Sequence, residues 1–246
     1  MHFSIMKEVI MKKLLFWMVL IVGIVALIGS CAKKDDDTAT ATTSTCTAST
    51  TASGTIAGLD NLTGTYSMSV YGLEPTGGCI DNSTAIATFT AVLPSGTLGF
   101  KNQQIVTSST SFTDSWQYYS DTSCSTSTGY LNYGFTSVSV KDNVTGLTAG
   151  SNPPRPTIAT KVTYAYSCLA AKGEADNATT YLNNLGIGTL TKGTELTLTG
   201  GGTVYKNIWA TADNVSGSTK NWFWIGSKSS SSYPSDWASG NSMSFK

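Results

Sequence analysis

From residue 65 onward, apolar and polar residues mostly alternate with a period of two, the mark of strands with one buried face. Tyr66, Met68 and Val70 alternate with Thr65, Ser67 and Ser69. Residues 111–119 set Phe112, Trp116 and Tyr118 on one face, with Asp114 among them. Leu131, Tyr133 and Phe135 alternate next, and Val138 and Val140 continue on the other parity, which predicts a bulge or bend. Over 161–168 the residues Val162, Tyr164, Tyr166 and Cys168 share a face. Runs at 85–93, stopped by Pro94, and at 195–199, 204–210, 221–225 and 243–245 bring the reading to about nine strands between Gly, Asn, Asp and Pro turns. One segment breaks the pattern. Ala178, Tyr181, Leu182 and Leu185 recur at helical spacing, with Asp176 or Asn177 as cap and Gly186 as stop. The prediction is an all-β domain, a small antiparallel up-and-down barrel with one short helix; a two-sheet sandwich is the alternative.

The first 57 residues follow other rules. Residues 14–29 form a charge-free apolar run of 16 residues, preceded by Lys12 and Lys13. A helix needs about 20 residues to cross the hydrocarbon core, so this run reads as the apolar region of a signal peptide. Met11 before the two lysines looks like a natural start, which makes residues 1–10 an upstream extension. Residues 38–56 are a charge-free Thr, Ala and Ser tract with no apolar face, the composition of a flexible tether. The division is 1–30 signal peptide, 31–57 tether and 58–246 barrel domain.

The run closes on Ile28-Gly29-Ser30-Cys31. This resembles the lipobox of bacterial lipoproteins, with Ile at its first position and Ser before the cysteine. The resemblance implies a diacylglycerol on the Cys31 sulfur and a further acyl chain such as palmitate on its amine. Several chains anchor stably, because each buried methylene contributes about 0.8 kcal/mol. Ala32 after the cysteine, in place of the Asp of inner-membrane retention, implies a lipid-anchored protein of the outer membrane. Lys34-Asp35-Asp36 resembles the charged export tags of surface lipoproteins, and the side the domain faces is left open.

Composition narrows the chemistry. Charged residues are 12% of the chain and the net charge is zero, with no basic cluster, so nucleic acid is not an expected partner. The only histidine is His2, inside the signal segment. Histidine triads, histidine general bases and histidine metal sites are thereby excluded from the mature chain. The carboxylates Asp114, Asp121, Glu174, Asp176, Glu195 and Asp213 form no pair fixed by spacing. Asp114 stands apart because it shares a face with Phe112 and Trp116, as an inward-edge charge or a hydrogen-bonding group at a barrel mouth. Gly200-Gly201-Gly202 lies in no phosphate-binding motif and reads as a hairpin or bulge. No enzyme, catalytic residue, metal site or cofactor is expected.

Beyond Cys31, the cysteines are Cys46, Cys79, Cys124 and Cys168, which allow three complete pairings. The expected bridge is Cys79–Cys124, with Cys168 as the alternative partner of Cys79; Cys46 either stays unpaired or bridges to another chain.

Residues 118–124, after the strand with Phe112 and Trp116, resemble segments of lipocalin-like domains in uncharacterised secreted bacterial proteins. Gly64-Thr65-Tyr66 stands where lipocalins carry Gly-x-Trp. The resemblance implies a barrel with an apolar cavity. Barrels of this size either fill with side chains or hold one small ligand. The candidate ligand-lining residues are Trp116, Tyr118, Tyr164, Tyr166, Trp222 and Trp224. The expected function is a non-enzymatic lipoprotein of the cell envelope that binds a small apolar ligand. The alternative is a surface glycan-binding, adhesion or structural module, with the paired tryptophans exposed to stack on sugars.

Overall fold

The computed structural model describes residues 48–59, 62–69, 75–151, 154–212, 222–237 and 243–245. The chain forms β1 (Thr65–Ser67), α1 (Ser83–Phe89), β2 (Gly99–Ser108), β3 (Ser111–Tyr119), β4 (Ser127–Thr145), β5 (Gly150–Ser151), β6 (Pro154–Arg155), β7 (Ile158–Gly173), α2 (Asp176–Asn184), β8 (Leu196–Thr199), β9 (Val204–Ala212), β10 (Trp222–Ile225) and β11 (Met243–Phe245). Nine strands make one antiparallel sheet in the order β1-β2-β3-β4-β7-β9-β10-β11, with β8 also on β7. Strands β5 and β6 form a separate two-stranded ribbon. The sheet curls into a nearly closed barrel, and Tyr66 of β1 meets Phe223 of β10 across the gap with ring centroids 5.4 Å apart.

Curvature comes from register shifts in the long β4–β7 pair. They fall at Gly134/Phe135, Thr136/Ser139 and Val140/Asn143. The second is the predicted change of parity, and Ser137 takes a left-handed backbone there (φ 55°). Each extra residue increases local twist, which bends the ladder toward closure. The triple glycine is also a bulge. Strands β8 and β9 run along the same edge of β7, and Gly200 N–H and Thr203 C=O bond to Ser167 and Tyr166 on either side of the break.

The inner face carries Phe112, Phe135, Tyr164, Trp209 and Phe223 as a close-packed base. Phe112 alone meets Phe135, Tyr164 and Trp209 at centroid distances of 4.8, 5.1 and 5.1 Å. Such edge and stacked pairs add about 0.5–1.5 kcal/mol each beyond the area they bury. Helix α2 covers the opposite end, with Leu182 buried and Tyr181 edge-on to Tyr118.

Three expectations need correction. Residues 85–92 are helical, not extended, an α-helix running into a 3-10 turn: Asn82 Oδ1 accepts from Thr84 N and Ala85 N, a side-chain cap that starts α1. Ala85 is buried and Phe89, one turn on, packs against Phe100, while Leu93 is buried where the chain turns extended. Strand β2 was not predicted at all, because its inward positions include the polar Asn102 and Gln104 between Phe100 and Val106. Finally, the packed domain begins before residue 58. Ser53 N donates to Val106 O, Ala57 N donates to Ser109 O, and Ile56 is buried in the core.

Cys79 and Cys124 are joined by a disulfide across 45 residues of chain. Asp121 organises the turn that presents Cys124, accepting from the backbone N–H of Ser123, Ser125 and Thr126. Gly99 makes room for the bridge, since a Cβ there would lie 2.9 Å from the Cys124 sulfur. Cys168 is therefore not the partner of Cys79. It is itself disulfide-bonded elsewhere. Cys31 and Cys46 lie outside the described residues. Replacing Cys79 and Cys124 together by alanine should lower the unfolding free energy by roughly 2–4 kcal/mol in urea titrations, with the fold retained. An unchanged midpoint would mean that the bridge does not constrain the unfolded chain.

Candidate functional site

The alternation of β3 turns Phe112, Asp114, Trp116 and Tyr118 inward and Thr113, Ser115, Gln117 outward. Cross-strand register then sets Asp114 opposite Gln104 of β2 and Tyr133 of β4, and Trp116 opposite Asn102 and Leu131. Above the aromatic base lies a polar group. Asn102 Nδ2 donates to Asp114 Oδ1 at 2.8 Å, and Gln104 and Trp116 stand close enough to favour the charged carboxylate.

The counter-charge arrives from the far edge of the sheet. Residues 226–229 continue β10 along β9: Ile225 faces Trp209, and Ser229 faces Lys206. Four steps along one strand match three along the other, so there is a one-residue bulge. Without it, Lys228 would share the outward parity of Trp222 and Trp224. With it, Lys228 turns inward. Its Nζ lies 6.0, 5.3 and 5.2 Å from the ring centroids of Tyr133, Phe135 and Tyr205. These distances are within the range of cation–π attraction.

Asp114, Trp116, Tyr133, Tyr166, Tyr205 and Lys228 all keep part of their surface open to solvent. Asp114, Tyr133 and Lys228 are nevertheless desolvated. Inward side chains that lose water yet keep open area frame a partly open hollow above the aromatic base. Burial raises the Asp114 carboxyl above its ordinary value, against the opposing effects of Lys228, Asn102, Gln104 and Trp116. Burial likewise lowers Lys228, against the pull of Asp114. The phenols of Tyr166 and Tyr181 are pushed up to about 12 by burial, so both remain hydrogen-bond donors at neutral pH.

Of the sequence candidates, Trp116 and Tyr166 line the hollow. Tyr118 and Tyr164 face inward but are buried as packed wall, Tyr118 beside Tyr181 and Tyr164 bonded to Asn207. Trp222 and Trp224 are corrections: they lie on the outer face, parallel to each other, in a second core with Leu147, Ile208 and Trp237. At 3% and 2% exposure they line no cavity and offer no platform to a sugar. The cover is tied down by Trp237 Nε1 donating to Pro156 O and by Asp236 accepting from Thr148 N. Sequence reasoning missed Asn102, Gln104, Tyr205 and Lys228 as members of the site. The two amides carried a signal only in retrospect, as polar residues at even spacing between Phe100 and Val106.

An open groove of about 520 Å³ also exists on the outer face, between residues 48–51 and Gln117, Tyr130, Asn132, Ala170 and Glu195. Its one carboxylate, Glu195, is held by the Tyr130 hydroxyl. It lacks the paired charges and aromatic enclosure of the interior. Among the described residues no group of three His, Cys, Asp or Glu side chains is placed to hold a metal. A scan of the chain against models of protein families finds no match, and a search of curated proteins finds none.

The raised Asp114 carboxyl fixes the sign of a pH effect. The folded state holds this proton more tightly than the unfolded state does, so the associated stability is present at low pH. It is lost as pH rises from the unfolded value, near 3.8, through the higher folded one. Of the groups facing the carboxylate, Asn102, Gln104 and Trp116 do not titrate and burial holds the Tyr133 phenol above its ordinary value, while Lys228, lowered by burial, is present in both proteins compared. The melting temperature of Asp114→Asn relative to wild type should therefore rise between pH 4 and pH 7. A difference that is flat or falls with pH would contradict the burial of this charge.

Proposed function

We propose that the protein is a non-enzymatic binding module that holds one small ligand inside its barrel, and that acylated Cys31 tethers it to the outer membrane. The observation that supports the first part is the set of inward aromatic side chains that keep open area above the packed base, Trp116, Tyr133, Tyr166 and Tyr205. Small-ligand sites are mostly apolar enclosures with a few convergent polar groups, and Asp114 and Lys228 supply such groups. The tether rests on the signal-like run and the cysteine that ends it. The glycan alternative loses its platform, because Trp222 and Trp224 are buried beneath Trp237.

Native mass spectrometry of the full chain, gently extracted from its host membranes, tests the binding reading. The expected result is a discrete excess mass, removed by organic solvent and reduced in occupancy about tenfold by Trp116→Leu. A clean apo mass, together with no change in tryptophan fluorescence on adding host lipid extract, would overturn it. The anchor is tested separately. Cys31→Ala should move the protein from the membrane pellet to the soluble fraction with its circular dichroism spectrum intact; retention in the pellet would refute the tether.

A further inference from the structure

The polar side of the hollow is acceptor-rich. Asp114 is its carboxylate, and Asn102 and Gln104 stand beside it as packed wall, 1% and 5% exposed. Asn102 Oδ1 and Gln104 Oε1 have no hydrogen-bond partner among the described residues and are closed off themselves, so they add negative potential behind the carboxylate rather than contacts to a ligand. The walls select in the same direction. Ring faces of Tyr133, Phe135 and Tyr205 surround a single point, and that point is occupied by an ammonium. Ring faces attract cations and repel anions.

The occupying ammonium belongs to the chain itself. Lys228 hangs from the bulged continuation of β10, on a flexible four-carbon stem that can withdraw. No salt bridge of Lys228 to a carboxylate holds it among the described residues. Its ammonium is desolvated, and its attraction to Asp114 only partly offsets that.

We propose that the hollow is a receptor for an organic ammonium group, and that the Lys228 side chain fills the ammonium position until a ligand cation displaces it. This rests on the interior being a ligand site at all. An anionic headgroup would instead face Asp114, with one lysine in its favour. A neutral apolar ligand would bring no counter-charge to that carboxylate.

Calorimetry on the purified full chain, with four probes sharing a six-carbon tail, separates the cases: hexyltrimethylammonium, hexylammonium, hexanol and hexanoate. The two cations should bind at least tenfold more tightly than hexanol. Lys228→Ala should tighten them by a further tenfold or so, and Asp114→Asn should weaken them by as much. The Lys228→Ala comparison decides even where Asp114→Asn does not fold, which near-ultraviolet circular dichroism reports. Equal binding of hexanol and the cations would leave the binding barrel standing and overturn the ammonium assignment. Preference for hexanoate, lost in Lys228→Ala, would overturn it too, making Lys228 the ligand's partner rather than its stand-in. Failure of all four probes on both folded proteins would remove the hollow as a site, and this inference with it.

Discussion

The pairing of β4 with β7 is the constraint on which the rest of the molecule depends. It runs from Gly129 opposite Gly173 to Thr145 opposite Ile158, and its three register shifts bend what would otherwise be a flat ribbon. Strand β3 attaches to β4, while β8 and β9 attach to β7, so the curvature of this pair is inherited by the whole sheet. A straight pair would leave β1 and β10 far apart, and the contact between Tyr66 and Phe223 would have no counterpart.

Curvature also decides which side chains meet. Phe112, Phe135, Tyr164 and Trp209 come from four different strands and interlock at one level of the interior. A rigid base of this kind lets the next level hold groups that do not favour burial. Asp114, Asn102, Gln104 and Lys228 oppose folding locally, since charged and amide groups lose water there. The first three adjoin on β2 and β3 and Lys228 reaches them from the far edge, the kind of local conflict that sites impose on an otherwise consistent sequence. The aromatic faces around Lys228 are held by backbone on β4 and β9, which suits a preformed recognition surface.

The outer face is not uniform either. One region carries a second core in which Trp222, Trp224 and Trp237 seal the backs of β9 and β10. The five tryptophans among the described residues therefore divide between two cores and the hollow, and strand parity alone decides the assignment on β10, with Phe223 inward between two outward tryptophans. The residues at 48–57, which composition presents as tether, add Ile56 to the main core because a single aliphatic in a polar tract finds an apolar gap beside Val106.

Much of the fold was legible in the chain. Period-two alternation marked β3, β4, β7 and β9, the parity change after Phe135 marked a bulge, and the Asp176–Asn184 helix carried its own spacing and stop, although Ala175, with no side-chain cap, stands at the N-cap expected of Asp176 or Asn177. Those are local properties, and local spacing determines which residues share a face. The rest depended on partners distant in sequence. Strand β2 was hidden by Asn102 and Gln104, whose inward placement makes sense only once Asp114 of β3 stands beside them. Residues 85–93 are apolar enough for either a strand or a helix, and packing of Phe89 on Phe100 with the Asn82 cap selected the helix. The direction of Lys228 followed from one extra residue in β10's pairing with β9, which no pattern within β10 announces. The sequence alone determined an all-β chain with aromatic inner faces and a carboxylate among them. Only the tertiary structure decided which rings form a wall, which form a second core, and where the opposing charge stands, because register between strands is set by contacts across the sheet rather than along it.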